Sequence, residues 1–226
     1  MTKAETDIDT DRTRQNVFFD LDGTLTDPKI GITRSIQYAL EKLGVEIPST
    51  DELTWCIGPP LLENFEKLLD ARRAPKAVTL YRERFATVGL YENTPYAGIH
   101  DLLTRLRDHQ TRLVVASSKP EIFVRQILEH FDLIEFFGDV FGSELDGTRT
   151  DKTELLRHAL DQTGIDPEQA VMIGDRRHDI IGAHNNQIAS IGALYGYGSR
   201  EELESAGAKR LASSPDELAR LLLPDS

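Results

Sequence analysis

The pattern of polar and hydrophobic residues changes sharply near the start of the chain, where a polar segment meets a short apolar run. Residues 1–14 are rich in Thr and Asp and nearly free of apolar residues, which predicts a disordered tail. Val17, Phe18 and Phe19 then form an apolar, β-prone run that ends at Asp20. This run predicts a buried strand followed by a turn.

Between residues 31 and 90, apolar residues recur at helical spacing in three successive stripes. The stripes comprise Ile32, Ile36, Ala39, Leu40 and Leu43, then Leu61, Leu62, Phe65, Leu68 and Leu69, and then Ala74, Val78, Tyr81 and Phe85. Such spacing is typical of helices that bury one face. The sequence therefore predicts an all-helical segment at 28–95, which begins at Pro28 and ends at Pro95.

After residue 95, short apolar strands alternate with amphipathic helices. Strands are predicted at 113–116, 139–142, 170–173 and 188–191, and helices at 99–106, 121–130, 155–160 and 215–223. This alternation indicates a parallel sheet covered by helices on both faces. We therefore predict an α/β fold with a Rossmann-like parallel sheet core at 15–27 and 96–226. The all-α domain at 28–95 would be inserted after the first strand.

Composition and charge exclude several functional classes. The 226 residues carry 26 Lys+Arg against 38 Asp+Glu, and a net charge of −12 argues against broad nucleic-acid binding. No apolar run approaches the roughly 20 residues that span a bilayer, and the first residues lack the apolar core of a secretory signal. Cys56 is the single cysteine, which excludes an intrachain disulfide. We expect a cytoplasmic globular protein that binds no nucleic acid or membrane and is a monomer or weak homodimer.

Polar side chains follow three of the predicted strands. Asp20 and Asp22 follow the first strand, Ser117 and Ser118 follow the strand at 113–116, and Asp175 follows the strand at 170–173. Ligands of parallel sheets bind at the carboxyl ends of the strands, so these side chains predict a site that holds a cation. The alternative is that each residue only caps the helix that follows it.

The segments that contain these residues resemble motifs of a known family. FFDLDGTLTD at 18–27 resembles the first motif of the haloacid dehalogenase superfamily, and Ser117 after VVA resembles the second. Lys152 lies where the lysine of the third motif would fall, although 149–153 lacks the prolines common there. GDRRHD at 174–179 resembles the fourth motif. The similarity points to the phosphoglycolate phosphatase-like and 5′-nucleotidase-like branch, with a helical cap of the C1 type.

The resemblance implies a mechanism through an aspartyl-phosphate. Asp20 would be the nucleophile, and Asp22 the general acid and base. The phosphoryl group would be held by Ser117, by Lys152 and by the backbone amides near Leu21 and Ser118. Mg²⁺ would be the cofactor, held by Asp20, the backbone carbonyl of Asp22, Asp175 and Asp179, the last either as a ligand or as a partner of one.

Residues of the cap would read the leaving group of the substrate. In superfamily members with this insert, the cap closes over the strand ends and a loop contacts the substrate. The corresponding loop here is 58–61, with Gly58 and Pro59 as candidate contacts, and Arg34 on the first cap helix is another. A solvated surface is the alternative for Arg34.

The function expected from this resemblance is a magnesium-dependent phosphatase that hydrolyses phosphate monoesters of small metabolites, of the phosphoglycolate or nucleoside 5′-monophosphate type. A β-phosphoglucomutase-like sugar phosphomutase keeps the same two aspartates and is the alternative enzyme. A phospho-accepting receiver domain also uses an Asp at a strand end with Mg²⁺, but that class is about half this size and lacks a helical insert.

Four other features have simpler structural interpretations. The segment 144–149 repeats the letters LDGT and is expected to be a polar turn, and 195–198, with alternating Tyr and Gly, is also expected to be a turn. His178 is expected to be a surface residue at a helix start. Cys56 is expected to be buried and unreactive.

Overall fold

The computed structural model describes residues 15–223, and the predicted disordered tail at 1–14 lies outside them. The strands are β1 Asn16–Phe19, β2 Thr26–Asp27, β3 Thr94–Pro95, β4 Arg112–Pro120, β5 Asp139–Ser143, β6 Ala170–Gly174, β7 Ala189–Ala193 and β8 Arg210–Ala212. The helices are α1 Lys29–Lys42, α2 Leu61–Leu68, α3 Ala74–Arg84, α4 Ile99–Asp108, α5 Glu121–His130, α6 Lys152–Thr163, α7 Arg177–Asn185, α8 Arg200–Ser205 and α9 Pro215–Leu222.

A parallel sheet in the order β5-β4-β1-β6-β7-β8 forms the centre of the molecule. β1 pairs with β4 on one side and β6 on the other. Successive side chains of a strand point to opposite faces, so Val17 and Phe19 enter the hydrophobic cluster on one face and Phe18 enters the cluster on the other. The predicted Rossmann-like α/β fold with helices on both faces is confirmed, and β1 lies at its centre.

The helical segment after β1 packs largely on itself. α3 lies between α1 and α2, and rings at the ends of α2 and α3 contact one another. Phe65 meets Tyr81 edge to face at 6.3 Å, and Tyr81 stacks on Phe85 at 5.2 Å. Phe85 also contacts Phe123 of α5 at 5.6 Å, which joins the aromatic cluster to the α/β core.

A short pair of strands lies where the chain enters and leaves the helical segment. β2 and β3 are antiparallel, with Thr26 opposite Pro95 and Asp27 opposite Thr94. The backbone N–H of Tyr96 also donates to the carbonyl of Leu25 at 3.1 Å. The sequence did not predict this pair, since two residues are too few to show a strand periodicity. The domain boundaries at 28 and 95 stay a prediction, and the paired strands lie beside both.

Other differences from the sequence prediction lie at the edges of the sheet. β4 continues beyond Ser117 to Pro120, and β8 and the short helix α8 were not predicted. Elements this short carry little periodic signal. Within residues 15–223, no helix is both long and apolar enough to cross a membrane.

Candidate active site

Three buried carboxylates lie together at the carboxyl ends of β1 and β6. Asp20 directly follows β1, Asp175 directly follows β6, and Asp179 lies in the first turn of α7. Each offers one oxygen, and these oxygens lie within 4.8 Å of one another. Since β1 and β6 are neighbours in the sheet, their ends bring together residues that are distant in the sequence. The structure thus places these three predicted site residues at one point.

The Lys152 side chain joins this carboxylate cluster from the first turn of α6. Its Nζ lies 3.1 Å from Asp20 Oδ1 and 2.8 Å from Asp179 Oδ1, and it donates to the carbonyl of Ala116 at 2.8 Å. Burial disfavours the charged amine, but the carboxylates of Asp179 and Asp20 outweigh that effect and raise the pKa of Lys152. Lys152 is therefore positioned as a permanent cation, although its segment lacks the prolines of the family motif.

The carboxylate cluster fits a divalent cation. One ammonium faces three carboxylates, so an excess of negative charge is left in a buried place. Burial is the largest cause that raises the pKa of Asp175 well above its usual range, and burial also raises the pKa of Asp179 to about 6. Asp175 Oδ1 is buried without a hydrogen-bond donor. Mg²⁺ binds oxygen ligands that carry uncompensated negative charge. Asp20, Asp175 and Asp179 are therefore suited to hold it.

Asp22 lies next to the carboxylate cluster and is paired with Lys119. Lys119 Nζ lies 2.8 Å from Asp22 Oδ1 and 2.6 Å from Oδ2, and both side chains are buried. Burial raises the pKa of Asp22, while Lys119 opposes that shift. The same ammonium lies 4.7 Å from the ring centre of Phe85, which belongs to the helical segment.

Lys119 is not among the site residues that the sequence predicted. The available signal was its position two residues after Ser117, in line with the strand that ends at the site. The strand was predicted at 113–116, whereas β4 runs on to Pro120. The additional residues carry the Lys119 side chain over the site.

The predicted phosphoryl-binding residues lie beside these charged groups. Ser117 and Ser118 line the cavity in front of Asp20, and the Ser117 hydroxyl is buried and accepts from the backbone N–H of Lys119 at 3.4 Å. The Leu21 side chain is fully buried in the hydrophobic core, so only the backbone of Leu21 is left to contact a ligand.

A cavity of about 580 Å³ opens between the strand ends and the helical segment. Its floor includes Asp20, Asp22 and Lys152. Its other walls are mainly apolar or aromatic and include Gly58, Pro59, Pro60, Leu61, Leu62, Val78, Tyr81, Phe85 and Phe123. Two predicted cap contacts, Gly58 and Pro59, therefore lie at the cavity. Such a volume suits a ligand of drug-like size.

Arg34, the other predicted cap contact, is not brought to the cavity. Its guanidinium pairs with Glu92 at 2.9 Å, and its side chain is 53% exposed. Glu92 also binds Arg84, so Arg34 belongs to an ion-pair network on the outer side of the helical segment. The helical spacing placed Arg34 on α1 but did not show which way its side chain points. Its position agrees with the alternative from the sequence, a solvated surface.

The Tyr-Gly segment at 195–198 supports the carboxylate cluster as well as forming a turn. The backbone N–H of Tyr197 donates to Asp175 Oδ2 at 2.7 Å, and its hydroxyl donates to Asp27 beside the entry to the helical segment. A Cβ on Gly196 would lie 2.4 Å from the Asp175 Cβ, so only glycine fits. The sequence signal for this contact was the pair of closely spaced glycines after β7. A loop that crosses the ends of the strands must approach the strand backbone closely, and glycine allows that approach.

The remaining expectations concern a turn and two side chains. Residues 144–149 form a turn in which Arg149 pairs with Glu144, and part of it reaches the cavity wall. His178 lies at the start of α7 but is half-buried and lines the cavity, so it is less superficial than expected. Cys56 is buried as expected, and burial raises the pKa of its thiol to about 12.

Comparison with known proteins identifies relatives along most of the chain. The family model described as haloacid dehalogenase-like hydrolase matches residues 17–193. A 5′-nucleotidase of Pseudomonas aeruginosa is 52% identical, with 84% of this chain and 87% of that protein covered. The tyrosine-protein kinase PtkA of Mycobacterium tuberculosis is 38% identical, with coverage of 92% and 72%.

The same fold has been observed in a solved structure. The crystal structure of a predicted phosphatase from Clostridium acetobutylicum matches with a TM-score of 0.88 and 44% identity, covering 92% of this chain and 97% of that one. The family match, these relatives and the carboxylate cluster at the strand ends agree with one another. The chain therefore belongs to the haloacid dehalogenase-like hydrolase family.

Proposed function

We propose that this hydrolase is a magnesium-dependent phosphatase that cleaves phosphate monoesters of small metabolites through an aspartyl-phosphate on Asp20. One observation carries the proposal: Asp20 lies at the floor of the cavity, in contact with Lys152 and within 4.8 Å of carboxylate oxygens of Asp175 and Asp179. With its charge offset by Lys152, and by a divalent cation that the three carboxylates would hold, Asp20 could approach an anionic phosphoryl group that would otherwise repel it.

The first step is transfer of the phosphoryl group to Asp20. A carboxylate oxygen of Asp20 attacks phosphorus, and the bond between phosphorus and the ester oxygen breaks. Asp22 gives its proton to the departing alkoxide, and its raised pKa favours the protonated form needed for this. Lys152 holds Asp20 in place and offsets the charge of the carboxylates. Mg²⁺ bound by Asp20, Asp175 and Asp179 would neutralise charge on the phosphoryl oxygens.

The second step releases phosphate and restores the enzyme. A water molecule attacks the phosphorus of the aspartyl-phosphate while Asp22 takes one of its protons. The bond between phosphorus and the Asp20 oxygen then breaks, and inorganic phosphate leaves. Ser117 lines the same part of the cavity and is placed to donate its hydroxyl to a phosphoryl oxygen.

The cavity favours a nucleoside 5′-monophosphate over phosphoglycolate. A volume of about 580 Å³ with aromatic walls at Tyr81, Phe85 and Phe123 exceeds what a two-carbon leaving group needs. The relative that is 52% identical over most of the chain is named a 5′-nucleotidase, which supports the same choice. We infer that nucleoside 5′-monophosphates are the preferred class of substrate.

The test is phosphate release from a panel of esters, with and without Mg²⁺. Wild-type enzyme should release phosphate from adenosine 5′-monophosphate, stop when EDTA is added, and recover with Mg²⁺. Asp20→Asn keeps the shape of the side chain and removes its nucleophilic charge, so turnover should fall by about a thousandfold or more with an unchanged melting temperature. Full activity in the folded Asp20→Asn variant, or full activity in EDTA, would contradict the proposal.

The same panel separates the alternative enzymes. Glucose 1-phosphate converted to an isomeric sugar phosphate, with no net phosphate release, would indicate a phosphomutase. Mass spectrometry of rapidly quenched enzyme should find one phosphoryl group on the peptide that contains Asp20. Labelling that persists without turnover would instead indicate a receiver-type phospho-acceptor.

A further inference from the structure

Arg176 connects the metal site to the helical segment. It directly follows Asp175, and its backbone N–H donates to Asp179 Oδ2 at 3.1 Å. The Asp179 carboxylate therefore fixes the backbone on which the Arg176 side chain is built. Its side chain is 14% exposed and extends away from the carboxylates toward the helical segment.

The guanidinium of Arg176 holds two partners at once. Its Nε donates to Glu202 at 3.0 Å, and one of its terminal nitrogens donates to the backbone carbonyl of Ile57. Glu202 in turn accepts from the backbone N–H of Arg177 at 3.0 Å, which fixes this carboxylate. A planar guanidinium can serve both partners, whereas a lysine ammonium on a flexible stem cannot keep the same geometry.

The loop that accepts this hydrogen bond is shaped to receive Arg176. Gly58 has a φ of +102°, and a Cβ there would lie 2.8 Å from Arg176 Cγ. From the other side, Asn64 Nδ2 donates to the carbonyls of Cys56 at 2.8 Å and Pro59 at 3.3 Å. The loop at 57–60 is thus held by α2 on one side and by the metal-site loop on the other, and residues 58–60 line the cavity.

We propose that Arg176 is a positioning residue that seats the loop at 57–60 over the cavity and thereby sets leaving-group specificity. The proposal rests on the proposed phosphatase function and adds to it the residue that seats the specificity loop. Arg176 also lines the cavity, but in this role it contacts the loop rather than the reacting phosphoryl group. It acts through the Ile57 carbonyl and through its packing on Gly58. Substrates whose leaving groups contact the loop depend on it, whereas a generic ester with few such contacts does not.

The test compares Arg176→Lys with Arg177→Lys, a matched control on the exposed neighbouring arginine. The first measurement is hydrogen exchange of the peptide that covers 53–64, in the full-length protein with Mg²⁺. Exchange in Arg176→Lys should be faster by about tenfold, as one charge-assisted hydrogen bond is lost, with an unchanged melting temperature. Arg177→Lys should exchange like the wild type. This measurement does not depend on the substrate.

The second measurement is the ratio of kcat/KM for adenosine 5′-monophosphate to that for p-nitrophenyl phosphate. Arg176→Lys should lower this ratio by about tenfold, mainly through a higher KM for the nucleotide. Gly58→Ala disturbs the same contact from the helical segment and should lower the ratio by a similar factor. The double variant should lower the ratio no further than either single variant does.

Two outcomes would overturn the proposal. One is wild-type exchange at 53–64 in Arg176→Lys, and the other is an equal loss for both substrates in Arg176→Lys and Gly58→Ala. If the wild type hydrolyses neither ester, the proposed function fails, while the exchange experiment still decides whether Arg176 seats the loop. If the wild type is active but both variants keep its exchange at 53–64 and its substrate ratio, only the role of Arg176 is contradicted.

Discussion

Buried charges face one another throughout the site. Lys152 lies between Asp20 and Asp179, and Lys119 contacts both oxygens of Asp22. Removing one partner of a buried pair costs about 3–5 kcal/mol because the other charge is left uncompensated. Substitution of either lysine is therefore expected to lower stability as well as activity, whereas Asp20→Asn leaves Lys152 paired with Asp179 and tests the chemistry more cleanly.

Asp22→Asn should separate the two steps of the reaction. p-Nitrophenolate leaves without much help from an acid, so the first step should survive, whereas the second step loses the base that activates water. We expect a burst of about one p-nitrophenol per enzyme, followed by turnover slowed by about a hundredfold or more. Stopped-flow absorbance measures both phases, and Asp161→Asn on the exposed face of α6 is the control. Unslowed steady-state turnover would show that Asp22 is not the base.

The pKa of the site carboxylates gives a prediction for stability. Burial is the largest cause that raises the pKa of Asp179, from 3.8 to about 6, so folding favours its protonated form. This contribution is fully present below about pH 4 and is lost as the pH rises to about 6. Mg²⁺ replaces the proton, so the gain in melting temperature on adding Mg²⁺ should be larger at pH 8 than at pH 5, by several degrees.

Calorimetry with and without Mg²⁺ at the two pH values makes this comparison. Asp179→Asn serves as the control, because it removes one of the titrating carboxylates and should reduce the pH dependence of the Mg²⁺ effect. An equal gain at both pH values in the wild type would contradict the assignment of the cluster as the metal site.

At the scale of elements, the loop after β7 supports the Asp175 carboxylate. Gly196→Ala places a Cβ 2.3 Å from the Gly23 carbonyl and 2.4 Å from the Asp175 Cβ, so Asp175 must move. Residues that orient a metal ligand typically contribute about tenfold or more to metal affinity. The Mg²⁺ concentration for half-maximal activity should therefore rise by at least about tenfold.

Gly138→Ala is the matched control for this change, because a Cβ there would meet nothing within 4 Å. A magnesium titration of phosphate release compares the two variants with the wild type. The loop would have no part in holding Asp175 if Gly196→Ala and Gly138→Ala gave the same magnesium dependence.

Long elements were predictable and short ones were not. The apolar stripes of α1, α2 and α3 were long enough to show a helical period, and the continuous apolar runs of β1 and β6 indicated buried strands. β2 and β3 have two residues each, and their pairing depends on a contact between positions almost 70 residues apart. Lys119 and Tyr197 were missed for the same reason, since their roles depend on tertiary neighbours.

At the scale of the whole molecule, the helical segment at about 28–95 is expected to act as a lid over the cavity. Closure excludes water and strengthens the hold on the phosphoryl group, and reopening admits water and releases product. The paired strands β2 and β3 join this segment to the core, and Phe85 reaches Lys119 from it. Changes on the inner wall of the lid should alter substrate ranking without changing the magnesium requirement.

Leu62→Ala tests this prediction. Leu62 lines the cavity and is 45% exposed, so its loss removes apolar contact with the leaving group but little packing. The KM for adenosine 5′-monophosphate should rise by about fivefold, with little change for p-nitrophenyl phosphate or for the Mg²⁺ requirement. Ile47→Ala is equally exposed on the same segment and lies away from the cavity lining. A uniform loss for every substrate in Leu62→Ala would contradict the specificity role.

The sequence alone predicted the α/β class, the helical insert and the positions of Asp20, Asp22 and Asp175 at strand ends. It could do so because periodicity and motif spacing are local properties of the chain. Which side chains meet depends on the tertiary packing. It paired Lys119 with Asp22, turned Arg34 outward to Glu92, and brought Arg176 to the Ile57 carbonyl. These contacts join residues that are distant in sequence, and their geometry follows from how the elements pack, which no local pattern encodes.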